Sequence, residues 1–385
     1  SLSALGIKPE LIRWARERAG LPLDALKKRF PKIELWEKGI KLPTISQLES
    51  FATKCRVPFG YLFLEVPPEE SLPIPDFRTI SRTRLSRPSA DLLDTIYTCQ
   101  QRQTWYREYM MLSKQKSLSF VGKAHIQDSP IEVASIIRNE LNLTIHHRNE
   151  LSSWQKALQK LVEQSESIDI LVMISSIVGS NTHRKLNPEE FRGFVLMDDL
   201  APLIFINGAD SRAAQIFSLA HEIAHVWLGQ SGISNIQIAI PSSKAIERWC
   251  NQVAAELLVP LEELKGYYNP YNDFEEELEK LARYFKVSTI VIILRLFDIG
   301  ALNEAEFLER YTEENERAFQ REKAKKGGDF YRNLNIRVSK PFAEALVSST
   351  LEGSTLFTEA YRLLSIKNPR TFEKLAYKLG ICLLS

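Results

Sequence analysis

The sequence predicts an α+β protein: an all-helical N-terminal domain, a central domain joining a small sheet to long helices, and a helical C-terminal region. Three observations carry that prediction. Apolar residues between Leu11 and Phe63 recur at helical intervals. Three short apolar runs, at residues 168–174, 191–196 and 203–206, gather in mid-chain as strands. Beyond Asp210 the spacing turns helical and continues so through residues 342–384.

At 385 residues the chain is long for one domain. The expected parts are a helical domain over 1–66, a linker and long helix over 67–127, a central domain over 128–308, and a charged hinge with a helical region over 309–385. A content of 44% hydrophobic and 25% charged residues is that of an ordinary globular protein, and a net charge of +2 predicts little about partners for the whole chain. Cys55, Cys99, Cys250 and Cys382 are far apart and form no CxxC pair. They read as reduced, buried thiols of a cytoplasmic protein rather than a disulfide framework. No apolar run approaches ~18 residues, so no membrane span is expected. The beginning of the chain lacks a basic-then-apolar leader pattern, which also points to the cytoplasm. Whether the chain pairs as a homodimer is left open.

Within residues 1–66, Gly20, Pro31, Gly39, Pro43 and Pro58 cut the pattern into short helices. Twelve basic residues against seven acidic ones give this segment a formal charge of +5. The run from Ile12 to Glu17, Gly20-Leu21, Leu35 to Gly39, and Pro43 through Leu48 resemble the Xre-type helix-turn-helix domain. The resemblance implies DNA binding, with Lys27, Lys28, Arg29 and Lys32 as candidate contacts. Between Leu26 and Trp36, however, the chain is about four residues shorter than that family, in the turn and recognition-helix start that would read bases. A protein-binding or structural role is therefore expected as readily as DNA binding.

Pro67, Pro68, Pro73, Pro75 and Pro88 mark an extended linker. A long amphipathic helix follows over 90–112, its stripe of Leu92, Leu93, Ile96, Tyr97, Trp105, Tyr109 and Met110 suited to packing. Helices are expected at 130–141 and 149–164, then the three strands, with Asp198-Asp199 joining the second and third. The run from Asn207 to Ser211 reads as a turn and a helix cap. A strand placed there often flanks a cleft, and its edge can hold an extended peptide. A helix over 244–258 is closed by Pro260. Helical packing continues through 290–297, a solvated charged helix or hinge covers 309–326, and Gly327 and Gly328 precede the last segment.

The chemistry centres on His221-Glu222-Ile223-Ala224-His225. On a helix the histidines at i and i+4 leave the same face one turn apart, a spacing at which two ring nitrogens grip one ion. Glu222 can reach a water on the open side and act as general base. The flanking residues are apolar, as a helix buried beside a cleft requires. A third ligand can come from the next helix, where Glu247 and Glu256 lie nine positions and so half a turn out of phase. Asn251 shares the Glu247 face and can fix a ligand histidine's tautomer. Glu247 is therefore the expected ligand, with Glu256 left to cap or pair nearby. His183, Arg184, Tyr267 and Tyr268 are candidates for a donor to a developing oxyanion, with no ground for choosing among them. Cys250, inside an apolar helix, reads as buried packing.

Residues 203–260 resemble the ImmA/IrrE family of metallopeptidases. The resemblance rests on Ile206-Asn207, Ser211-Arg212, the run from Phe217 to His225, Glu247 to Asn251, and Ala254 to Pro260. It implies a gluzincin-like fold with Zn2+ on His221, His225 and Glu247, and a regulatory endopeptidase that cuts a protein partner such as a transcriptional repressor. The other class the residues allow is a helix-turn-helix regulator or antitoxin-like binding protein with a sensory or structural metal.

Overall fold

A computed structural model describes residues 7–76, 88–234, 244–324 and 337–381; Gly327, Gly328 and Cys382 lie outside them. The chain divides into two units, residues 1–73 with 80–96, and residues 74–79 with 97–385.

The first unit holds α1 (Pro9–Arg18), α2 (Leu23–Lys27), α3 (Ile33–Glu37), α4 (Ile45–Cys55) and a 3₁₀ turn, Phe59–Phe63. Its core is aromatic: the Phe30 ring lies 5.7 Å from both Trp36 and Phe51. Thr44 and Gln47 form a reciprocal capping box that starts α4. The Arg16 guanidinium meets Glu37 at 2.6 Å and ties α1 to α3. Helices α2 and α3 have five residues each, the local outcome of the short stretch around Pro31.

The second unit takes α5 (Ala90–Leu112) from Tyr97 onward, then α6 (Pro130–Glu140), α7 (Ile145–Glu150) and α8 (Trp154–Glu166). A single helix over 149–164 is corrected to two, because Ser153 breaks the run and accepts the Lys156 N–H at 3.2 Å as the cap of α8. The strands are β1 (Leu171–Ser175), β2 (Ile177–Val178), β3 (Asn181–Lys185), β4 (Gly193–Leu196), β5 (Leu203–Asn207) and β6 (Gly232–Ser234). The first strand starts at Leu171 rather than 168 because Asp169, at φ +66°, turns the chain out of α8.

The main sheet runs β1-β5-β4-β6, with β1 parallel to β5 and the other pairs antiparallel. Strands β1, β4 and β5 are buried at every residue, so their side chains are covered on both faces. Next come α9 (Arg212–Leu228), α10 (Ala245–Leu258), α11 (Leu261–Tyr267), α12 (Phe274–Phe285), α13 (Thr289–Asp298) and α14 (Glu304–Ala324). Helix α9 packs against α8, α10, β4 and β5 and lies at the heart of the core.

The C-terminal helices are α15 (Lys340–Leu351), α16 (Phe357–Leu364) and α17 (Pro369–Lys378). Phe342 packs against Trp105 and Tyr106 of α5. Buried Arg102 donates to the Leu363 carbonyl at 2.8 Å, at the carboxyl end of α16, and to the Ser365 hydroxyl at 3.2 Å. Among the described residues no helix is long and apolar enough to cross a membrane.

Candidate metal centre and active site

Helix α9 is set at both ends. Asn207 ends β5 and is fully buried; its side chain donates to the Phe191 carbonyl and accepts the Ala209 N–H, each at 3.0 Å. Ser211 caps the helix by accepting the Ala214 N–H. At the far end Gly229, at φ +70°, returns its N–H to the His225 and Val226 carbonyls. The Gly122 and Ala124 amides reach the Val226 and Trp227 carbonyls at 3.1 and 2.8 Å. Helix α10 is held at its carboxyl end by three arginines: Arg138 donates to the Glu256 carbonyl, Arg148 to that of Leu258, and Arg295 to that of Val259. These contacts complement the negative end of the helix and fix the rotation of the face that carries Glu247.

From these two helices His221, His225 and Glu247 converge, all three buried. His225 Nε2 lies 3.0 Å from Glu247 Oε1 and 3.2 Å from His221 Nε2, and His221 Nε2 lies 3.4 Å from Glu247 Oε2. Ligands ~2.0–2.1 Å from a tetrahedral zinc stand ~3.3 Å apart, so the spacing of the three donor atoms suits that ion. His221 Nδ1 meets Asn251 Oδ1 at 2.8 Å. Because that oxygen can only accept, Nδ1 carries the proton, and in the neutral form of the ring Nε2 has a lone pair facing the other donors.

The two carboxylates of the site are pushed apart. At Glu247 burial works to raise the pKa, but the charge of His221 and hydrogen bonds with both imidazoles outweigh it and hold the group at about 2. At Glu222 burial dominates and pushes the group up to about 8, with His221 and Ser234 opposing and Glu247 adding to the rise. At His221 burial is outweighed by Glu247 and the pKa is raised, whereas burial keeps His225 low. Both Glu222 oxygens are buried, and Ser234 of β6 is a polar neighbour of the carboxylate.

Glu256, the alternative ligand, accepts the Leu261 N–H and pairs with Arg295. Cys250 is buried, and burial raises its thiol. Of the oxyanion candidates, His183 and Arg184 lie on the β2–β3 hairpin, where His183 is exposed, and Tyr267 packs on Tyr284. Tyr268 is half-buried against the core of the unit. The proposed DNA contacts sit in the first unit. Lys27 is paired with Asp24 and Glu34, Arg29 donates to Ser50, and Lys28 and Lys32 are exposed.

Two residues of the site were missed in the sequence. Gly193 on β4 comes so near that a Cβ there would stand 2.9 Å from Glu222 Oε1. A glycine inside a strand is a recognised sign of close approach, and Phe191-Arg192-Gly193-Phe194 carried it. Ser234 pairs with Gly193 across β4 and β6 and is close enough to influence Glu222. Nothing in three residues of sequence announced β6.

Residues 165–297 match the model of the IrrE N-terminal-like domain, Peptidase_M78. The match spans the sheet, α9 and α10, and supports a metallopeptidase of the ImmA/IrrE type. Residues 338–378 match a domain of unknown function, DUF8813, which covers the C-terminal helices. No curated protein and no solved structure matches the chain.

Proposed function

We propose that this protein is a zinc-dependent endopeptidase with a regulatory role, which cuts a specific protein partner such as a transcriptional repressor. The observation that carries the reading is the set of three buried donors spaced 3.0–3.4 Å apart with the buried carboxyl group of Glu222 beside it. Zinc held by His221, His225 and Glu247 would supply Lewis acidity, lowering the pKa of a water toward ~7 and polarising a carbonyl. Glu222 takes the proton of the attacking water and delivers it to the leaving amine. Asn251 holds His221 in the ligating tautomer, and the absence of a side chain at Gly193 leaves Glu222 its position. The outer edge of β6, one strand from Gly193, carries the backbone groups that could hold an extended peptide, and Pro75 and Asp76 of the same chain meet it at Ile233. The three described cysteines are free and buried, which suits a reducing compartment such as the cytoplasm.

The test pairs metal content with proteolysis. The purified chain should hold about one zinc. Glu222→Gln should keep that zinc while casein cleavage falls by about 10²–10⁴-fold. Equal cleavage by the variant contradicts the assignment.

The other reading, a DNA-binding regulator with a sensory or structural metal, has in its favour the exposure of Lys28, Arg29 and Lys32. It predicts a salt-dependent mobility shift that a triple alanine variant at these positions removes. No shift at low salt counts against it.

A further inference from the structure

The strand β6 closes the sheet on one side and pairs only with β4 among the strands. Its Ser234 carbonyl accepts the Arg192 N–H from the β4 side, at 3.0 Å. The Ile233 N–H, by the alternation of an antiparallel pair, points outward. That outward amide donates to the Pro75 carbonyl at 3.0 Å, and Asp76 pairs with Ile233 in the parallel sense. The next carbonyl, that of Asp76, accepts from the ammonium of Lys244, the residue that opens α10 three positions before Glu247. Two successive carbonyls of residues 74–76 are therefore held, one by the sheet edge and one by the helix that carries a metal-ligand candidate.

This position adjoins the catalytic group. Ser234, beside Glu222, follows Ile233 directly, and one residue of strand spans ~3.3 Å. The segment is also shaped for the place. Leu72 and Ile74 each precede a proline and are biased to extended backbone, so little conformational freedom is lost on holding it. Pro73 and Pro75 lack N–H groups, which keeps this strand-like stretch from recruiting a further strand.

We propose that the outer edge of β6 is the surface on which an extended polypeptide is laid by strand addition, and that Pro75 and Asp76 of the same chain occupy it in cis. An incoming polypeptide and the linker compete for the Ile233 amide, so the site is held latent until residues 74–76 are displaced. The proposal rests on the peptidase reading for what the edge delivers to Glu222, but not for the occupancy itself.

The test uses the full-length chain. In a Glu222→Gln background, which binds without cutting, fluorescein-labelled casein is titrated against three proteins. These carry the native linker, Lys244→Ala, and the pair Pro75→Gly with Asp76→Gly; thermal melts verify folding of each. Releasing the linker should tighten casein binding on the order of tenfold. Hydrogen exchange of the fragment carrying Ile233 should speed up by a similar factor. Unchanged binding and unchanged exchange in both linker variants overturn the proposal. With Glu222 restored, tighter binding without any casein cleavage keeps the edge assignment and sinks the peptidase reading. Equal binding with equal cleavage by all three does the reverse.

Discussion

Glu222 is fully buried and closely surrounded, which makes its neighbours sensitive positions. Gly193→Ala would set a methyl 2.9 Å from Glu222 Oε1, with the Phe205 carbonyl at 3.1 Å closing the retreat. The carboxylate must then shift. We expect kcat to fall about 10²-fold with zinc content unchanged, since misplacement of about 1 Å has that effect. Asn251 meets His221 Nδ1 at 2.8 Å, so on the proposed reading Asn251→Ala should weaken zinc affinity by about 10–100-fold. A chelator-competition titration measures this, and an unaltered affinity would remove Asn251 from the site. The residues of the site were legible to the degree that they follow helical spacing. His221, His225, Glu247 and Asn251 lie on two helices whose phase could be counted. Gly193 and Ser234 come from strands whose register and order cannot be counted, so their meeting with Glu222 was invisible.

At the scale of elements, α9 carries His221, Glu222 and His225, and its last turn is closed tightly at Gly229. Gly229 has φ +70°, and a Cβ there would stand 2.9 Å from the Gly122 Cα. Gly229→Ala combines a left-handed backbone penalty of about 1–2 kcal/mol with a backbone clash. It should lower Tm and release zinc on warming; a melt superimposable on that of the native protein would show the turn to be unimportant. A second element-scale contact is pH-sensitive. Glu166, at the end of α8, accepts from Ser339 Oγ at 2.6 Å and from the Lys340 N–H at 3.1 Å at the start of α15. Burial nonetheless pushes its pKa up to about 7. Because the folded state holds this proton more tightly than the unfolded state, stability falls as pH rises from about 4.5 to about 7 and levels off above. The loss is on the order of 3 kcal/mol. Glu166→Gln removes the titrating group while leaving an oxygen to accept from Ser339 and Lys340, and it should flatten that part of a urea-melt pH series. Long helices such as α5 and α10 were readable from periodicity. The three-residue β6 and the break between α7 and α8 were not, since a strand of Gly-Ile-Ser has no pattern and one serine cap is a weak signal.

For the whole molecule, the two units divide the questions. The second unit contains the metal-ligand candidates and the match to the IrrE N-terminal-like domain. The first contains the basic N-terminal helices for which DNA binding was one expectation, and there Lys27 is paired with acidic neighbours. The fold class followed from composition and patterning, whereas the parallel pairing of β1 with β5 and the pairing of Asp76 beside β6 depend on contacts distant in sequence. The account stands or falls on cleavage of a protein target through Glu222. The direct measurement is a proteome-wide comparison of protein termini in cells carrying the native chain and cells carrying Glu222→Gln. The account predicts a small set of new N-termini, in one or a few regulatory proteins, present only with the native chain. Identical sets of termini in the two would contradict it.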